Sequence, residues 1–358
     1  MKTVAFLFGG VSTEHEVSRM SATSVIGNAD SSKYNKVLVG ITKDGRWYHY
    51  TGPVEDILNG DWEKNGHITP AVLSPDAGHK GLILLEEDSW KLLPVDVVFP
   101  VLHGRNGEDG TVQGLLEMSG IPYVGCGVAA SANCMDKAIA KIIFNAHSIP
   151  NAAWLLAEPG VMEDAAAFAR RVEETLGWPA FVKPANSGSS VGVSRAEDAG
   201  ELERALKEAF RYDAKVIVEE CLVGDEVEAA VMGNSHPEAA AVVGEIVPVR
   251  GLYDYEGKYI DGSTELHIPA RIDREDAAQM REIAVKAYKA LGCEGLSRVD
   301  FFIRRGMPAG QRVVLNEINT LPGFTNISMY PKLFMASGMS YAGIIDRLIE
   351  LALERAGR

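Results

Sequence analysis

Phe181-Val-Lys-Pro-Ala-Asn-Ser-Gly-Ser-Ser-Val-Gly-Val193 reads as a β-type run that enters a loop of small residues and leaves as a second β-type run. Gly188, Ser189, Ser190 and Gly192 let backbone N–H groups approach an anion closely, and the two hydroxyls add donors. Pro184 keeps Lys183 extended, which aims its ammonium along the strand rather than around a helix. The pattern suits a flexible lid over phosphates. The plainer alternative is a mobile Gly/Ser turn beside a surface lysine.

Working outward, the pattern upstream predicts helices over 136–146 and 164–176 and a strand over 180–183. Downstream it predicts a helix over 198–210 and a strand over 216–220. Towards the N-terminus, a strand over 3–8 stops at Gly9-Gly10 and a helix follows through Val17, Met20 and Val25. Buried-type strands recur over 36–42 and 95–102, the second ending in His103-Gly-Arg-Asn-Gly-Glu-Asp-Gly110 and a helix from Thr111. In an open parallel sheet the Gly9 and His103 loops lie on one rim. The stretch 52–80, with scattered Pro and Gly and no sustained period, reads as a surface insertion. Towards the C-terminus come strands over 227–232 and 240–249, an irregular loop over 250–267, a helix over 275–291, strands over 297–304 and 312–319, and a helix from Tyr341. The fold class is therefore α/β and α+β multidomain. An open parallel α/β domain over 1–130 precedes a two-part unit divided into 131–218 and 219–358, with 250–267 as a mobile loop.

A length of 358 residues suits two or three domains. Lys plus Arg total 35 against 49 Asp plus Glu, a net charge of −14, which argues against a nucleic-acid polymer or an anionic membrane as partner. It does not argue against a polyphosphate ligand, which needs only local positive charge. Cys126, Cys134, Cys221 and Cys293 form no C-x-x-C pair, so neither a zinc ribbon nor a disulfide framework is encoded and a cytoplasmic location fits best. No apolar run approaches the roughly 20 residues needed to insert through a bilayer.

The second chemical signal is Arg298, Asp300, Glu317 and Asn319 on two predicted strands. Residues two apart share a face, so a hairpin with Asp300 opposite Glu317 gathers all four, leaving Val299, Phe301 and Ile318 for the core. Two carboxylates and an amide oxygen are hard ligands suited to Mg²⁺ shared with phosphates; the alternative is a merely solvated polar face. Three polar loops stand out besides: Glu14-His15-Glu16, His103 with Glu108 and Asp109, and Tyr253 to Tyr259 with Lys258. Taken singly each reads as a cap or turn. Asp136-Lys137 opens a helix, and Glu219, Glu220 and Glu226 surround a strand end where a carboxylate could meet a ribose. Gly9-Gly10 lacks G-x-G-x-x-G, and 251–259 does not fit a Walker A loop.

Seven stretches join these pieces: 8–18, 102–114, 135–137, 182–192, 253–259, 297–300 and 315–325, the last reading Leu-Asn-Glu-Ile-Asn-Thr-Leu-Pro-Gly-Phe-Thr. On them the chain resembles the D-alanine:D-alanine ligase family of the ATP-grasp superfamily, nearly end to end. The resemblance implies ATP between the second and third units, with Lys137 and Lys183 on its phosphates and the loop of Ser189 and Ser190 above them. Glu226 meets the ribose, and Glu219 and Lys258 belong to the nucleotide site. Asp300, Glu317 and Asn319 are implied to bind two Mg²⁺, with Mn²⁺ as a substitute. The first D-alanine is implied near Glu14 and His103, the oxyanion near Arg298 and the N–H of Gly323, and the second D-alanine near Ser328 and Lys258. Glu14, Ser189 and Tyr259 correspond to a hydrogen-bonded triad that closes the site. The implied reaction makes an acyl phosphate that a second D-alanine then attacks, and a homodimer is implied as well. Some members carry Arg-Glu where this chain has Asn186-Ser187, so contacts of those side chains do not transfer. D-lactate or D-serine ligases, or another ATP-grasp carboxylate–amine ligase, are the near alternatives. A silent nucleotide-binding regulator is the distant one, but it would lack Asp300, Glu317 or Lys183. A cell-wall scaffold docking through its acidic face is the third, and no stretch singles out such a surface.

Overall fold

The fold is given by a computed structural model that describes residues 1–247 and 265–357. Three sheets follow one another along the chain. The first has seven strands, in the order Trp90–Pro94, Gly81–Leu85, Ile68–Leu73, Trp47–Tyr50, Tyr34–Ile41, Lys2–Gly9, Val97–Pro100. Only Lys2–Gly9 with its two neighbours is parallel; every other pairing is antiparallel. The sheet is thus mixed rather than parallel throughout. The reason is connection length: positions 42–46 alone separate Ile41 from Trp47, enough for a hairpin but far short of the dozen or more residues of a parallel crossover.

The stretch 52–80 is also not a surface insertion. It holds the helix Val54–Asn59 and the sheet strand Ile68–Leu73. Between them Trp62 is 0% exposed, its ring 5.0 Å from Phe8 and 6.2 Å from Tyr50. Gly40 makes room for it, since a Cβ there would come within 2.2 Å of the indole. Helix, turn and strand succeed one another too quickly for any single hydrophobic period to register, although Ile57, Trp62, Ala71 and Leu73 are all core.

The second sheet is antiparallel, in the order Ser194–Ala196, Ala180–Pro184, Val216–Glu220, Trp154–Ala157. Helices Ala165–Thr175 and Ala199–Ala209 cover it with Phe168, Val172, Leu202 and Leu206. The strand Val216–Glu220 straddles position 218, where the second unit was expected to end. The third sheet runs Glu265–His267, Gly244–Val247, Gly224–Gly233, Gly295–Arg304, Val313–Asn319, with Glu238–Ala239 paired to Gly224–Gly233. Helices Lys137–Ala146 and Arg274–Ala290 pack Phe144, Met280 and Tyr288 against Val227, Val299 and Phe301. The final helix Tyr341–Ala356 joins the units: Ile344, Ile345 and Leu348 share a core with Phe6 and Phe99 of the first sheet and Met232 and Leu296 of the third.

Of the loop over 250–267, only Glu265–His267 falls among the described residues, as an edge strand. Among the described residues no helix is long and apolar enough to cross a membrane.

Candidate active site

Register builds the acidic wall of the cleft. Arg298 lies opposite Asn319 and Asp300 opposite Glu317, the pairing that gathers all four residues. The pairing then shifts, so that Phe301 faces Leu315 and Asn316 is the extra residue of a β-bulge. Val313 and Leu315 face the core, and without the bulge Glu317 and Asn319 would follow them there. The one-residue shift flips the parity, buries Ile318 and turns Glu317 and Asn319 to the cleft.

Asp300 is held by Arg298 in a bidentate pair, Nε to Oδ1 2.7 Å and Nη2 to Oδ2 2.7 Å, and Asn319 Nδ2 donates to the same Oδ2 at 3.1 Å. Glu228, opposite Asp300 on the next strand, adds Oε1 3.1 Å from Arg298 Nε. Lys137 Nζ lies 3.6 Å from Glu317 Oε2 and donates to Ser187 O at 2.7 Å. Asp136 caps the helix that presents this lysine, accepting from Ala138 and Ile139 N–H, and is itself paired with Lys215. The donor set fits a hard divalent cation. Among the described residues no three His, Cys, Asp or Glu side chains cluster to hold a metal unaided, so Asn319 and ligand oxygens would complete the shell of Asp300 and Glu317.

The deeper wall carries a second ionic group. Glu219 Oε2 is 2.5 Å from Lys183 Nζ, and Oε1 is 2.6 Å from Lys141 Nζ. Burial opposes ionisation of Glu219, but the two ammonium groups outweigh it and hold its pKa down to about 2. Burial likewise opposes the charge on Lys183, and Glu219 more than offsets it, raising the pKa. For Lys141 burial prevails over Glu219 and the pKa falls. Around this group lie Phe181, Val193, Leu222 and Phe302, with Glu220 and Glu226 at the rim. An apolar cleft edged by carboxylates, with lysines at one end, suits a flat base, a hydroxylated sugar and a phosphate chain in that order.

The Gly/Ser loop hangs between these walls and the first unit. Ser189 and Ser190 have φ of 49° and 60°, left-handed values that non-glycine residues rarely adopt, beside Gly192 at 74°. Asn186 anchors the base of the loop through N and Nδ2 to Asp213 Oδ2, both 2.8 Å. At its tip Ser189 Oγ donates to Glu14 Oε1 at 2.6 Å, a contact across 175 residues of sequence. Glu14 occupies the N-cap position of helix His15–Asn28, but its side chain makes no cap bond and reaches the loop instead.

Nearby, His103 is buried and uses both ring nitrogens within the protein. Nδ1 meets Leu321 O at 2.9 Å, so Nδ1 carries the proton, and Nε2 accepts from Ser21 Oγ at 2.9 Å. Ser21 Oγ in turn accepts from Phe324 N–H at 3.1 Å. Burial keeps the imidazole below its usual pKa against the pull of Glu14, so it is neutral. His103 therefore braces the 321–324 turn and offers the cleft no free ring N–H. Glu108 accepts from Gly104 N–H at 3.1 Å, and burial, reinforced by Glu14, pushes its carboxyl well above the usual range.

Arg298, Asp300, Glu317 and Asn319 thus meet Lys137, Lys183, Ser189, Ser190, Glu219 and Glu226 around one cleft, and Glu14, His103 and Gly323 close its other end. Ser328 sits behind Gly323: a Cβ on Gly323 would lie 2.7 Å from its Oγ, which is engaged with Thr325 N at 2.9 Å. Tyr259 and Lys258 lie outside the described residues. Sequence reasoning missed Lys141 and Glu228. Lys141 carried a signal, a charge on the buried stripe of an apolar helix with Ala138 and Phe144; Glu228 repeats Glu226 at strand spacing.

Residues 3–126 match the family described as D-ala D-ala ligase N-terminus and residues 143–350 the family described as D-ala D-ala ligase C-terminus. A D-alanine–D-alanine ligase of Acetivibrio thermocellus is 49% identical over 99% of this chain and 96% of its own, and one from Caldicellulosiruptor bescii is 49% identical over 98% and 95%. Among solved structures, the VanG D-Ala:D-Ser ligase of Enterococcus faecalis superposes with a TM-score of 0.88 at 42% identity, covering 98% of this chain and 99% of its own. The D-alanine–D-alanine ligase of Coxiella burnetii superposes at 0.83 and 35%, covering 100% and 96%. With both halves matched and near-complete relatives at almost half identity, the chain belongs to the D-alanine–D-alanine ligase family, the ATP-grasp fold its three sheets build.

Proposed function

We propose that the chain joins two molecules of D-alanine into D-alanyl-D-alanine, converting ATP to ADP and phosphate, to supply a peptidoglycan precursor. The observation that carries this reading is the meeting, on one cleft, of a lysine-lined, loop-covered groove with a carboxylate hairpin and the Glu14–Ser189 contact. Lys137 and Lys183 receive the phosphates, and Glu226 and Glu219 receive the ribose and base end. Asp300, Glu317 and Asn319 hold Mg²⁺, or Mn²⁺ in its place, which when bound neutralises phosphate charge beside an acidic wall.

The first D-alanine sits with its ammonium at Glu14. Its carboxylate oxygen forms a bond to the γ-phosphorus as the bond to the ADP oxygen breaks, giving an acyl phosphate. Lys137, Lys183 and Arg298 spread the charge that develops. The amine of the second D-alanine, held by Ser328 and Lys258, loses its proton to the Tyr259–Ser189 relay and attacks the acyl carbon. Arg298 and the Gly323 N–H hold the oxyanion until phosphate leaves. The Gly/Ser loop and the loop over 250–267 exclude water, which would hydrolyse the acyl phosphate.

We assign three units, divided after 130 and, because the strand Val216–Glu220 belongs whole to the second sheet, after 220 rather than 218, and the active species as a cytoplasmic homodimer; four free cysteines suit a reducing compartment. The test is ADP release that requires D-alanine and fails with L-alanine, with the product weighed by mass spectrometry. The likeness to a D-Ala:D-Ser ligase makes D-serine the second reading for the attacking amine. A mixed product dominating when D-serine and D-alanine compete would establish that reading. An ester dominating with D-lactate at neutral pH would overturn the dipeptide assignment.

A further inference from the structure

Lys141 is 2% exposed and has no place in the chemistry above. A buried ammonium must be paired, and this one is, Nζ 2.6 Å from Glu219 Oε1 with Ala152 O at 3.4 Å. It follows Lys137 by one helical turn, so helix Lys137–Ala146 offers one lysine to the cleft and tucks the next beneath it. Glu219, 3% exposed, holds an ammonium on each oxygen, Lys141 on one and Lys183 on the other.

The two lysines are not equivalent. Lys183 lines the cleft with its side chain 18% exposed, whereas Lys141 lies behind Glu219 and does not face the cleft. In the empty protein the three charges sum to +1. When Lys183 swings from Glu219 Oε2 towards a triphosphate, it gives up that pairing. If Lys183 were the only partner, its departure would strand a buried carboxylate, a strongly unfavourable state. With Lys141 present, its departure leaves a neutral buried pair.

We propose that Lys141 is a positioning residue that stays on Glu219 as its fixed counter-charge and so releases Lys183 to the phosphates of the nucleotide. This rests on the reading that the cleft takes ATP. The directions of titration agree: Glu219 remains ionised against burial because two ammonium groups share it. The same arrangement leaves Glu219 Oε2 open to a donor from the nucleotide once Lys183 has moved.

The test is calorimetric titration of a non-hydrolysable ATP analogue with Mg²⁺ into the wild type, Lys141→Met, Glu219→Gln and the double variant, each checked for folding by circular dichroism. Lys141→Met should bind at least tenfold more weakly than the wild type, because Glu219 now retains Lys183. The double variant should bind within threefold of Glu219→Gln, because a neutral residue 219 has no hold on Lys183 and Lys141 then has nothing to compensate. A merely structural Lys141 predicts wild-type affinity in Lys141→Met, provided that it folds, and equal affinity in Glu219→Gln and the double variant. Lys141→Met binding as tightly as the wild type overturns the proposal. So does a tenfold loss on adding Lys141→Met to Glu219→Gln, and that comparison decides the matter if Lys141→Met alone does not fold. A wild type that fails to bind the analogue removes the nucleotide reading, and this inference with it.

Discussion

Two ion pairs face the same cleft and differ in which member is anchored. At Arg298–Asp300 both side chains are about equally covered, 16% and 15% exposed, and Glu228 is a further partner for the arginine. At Lys183–Glu219 the lysine is 18% exposed and the carboxylate 4%, and Lys141 is a further partner for the carboxylate. The first pair is an acid awaiting a different cation; the second is a cation awaiting a different anion. Each keeps the charges of the empty cleft paired, and each gives the member that stays behind a reserve partner. On this account ligands enter by exchanging partners rather than by meeting bare charges, which an interior wall cannot hold without cost.

Breaking the first pair has the largest expected effect. Asp300→Asn should lower D-alanine-dependent ADP release by about 10³-fold, while thermal stability stays close to that of the wild type because Arg298 retains Glu228. Loss of stability in step with activity would mean that the pair is structural. Lys183→Met should lower kcat/KM for ATP by about 10²-fold, with Glu219 still satisfied by Lys141 and the melting temperature little changed.

The second pair can also be read through pH. The folded Glu219 pKa is about 2 against an ordinary 4.5. A depressed carboxyl contributes stability that is complete above about 4.5 and is lost as pH falls through about 2. The difference of about 2.5 units corresponds to about 3 kcal/mol. Denaturant unfolding between pH 5 and 2.5 should therefore show a slope shallower by about one proton in Glu219→Gln than in the wild type; equal slopes would contradict the ionised, doubly paired Glu219. The smallest effect is expected at the loop tip. Ser189→Ala removes one hydrogen bond to a carboxylate, and turnover at saturating substrate should fall about tenfold. An unchanged rate would detach the Glu14 contact from closure.

The same two regions show what the sequence could reveal. The hairpin was legible because strand parity is a local rule: Arg298 with Asp300, and Glu317 with Asn319, follow from spacing alone. The bulge at Asn316 was not, though it lets Val313 and Leu315 face the core while Glu317 faces the cleft. The lysine group was half legible. Lys183 announced itself before a Gly/Ser loop, whereas Lys141 sits within a helical stripe and is joined to Glu219 across 78 positions, a contact no local pattern encodes. The stretch 52–80 escaped notice for a related reason. Trp62 and Ile57 are core residues on short, dissimilar elements, so their burial depends on partners such as Phe8 and Tyr50 rather than on any period. The pairing of Glu14 with Ser189 came from the family resemblance; the structure supplied the 2.6 Å distance and the left-handed backbone that presents the hydroxyl.

Whether this partner-exchanging cleft activates a carboxylate by phosphorylation is decided by following the oxygen. D-alanine labelled with ¹⁸O in its carboxylate is turned over with ATP, and the released phosphate and nucleotide are weighed. One ¹⁸O atom should appear in each inorganic phosphate and none in ADP, because the acyl carbon keeps one oxygen and leaves the other on phosphorus. Unlabelled phosphate, or label carried on AMP, would contradict it.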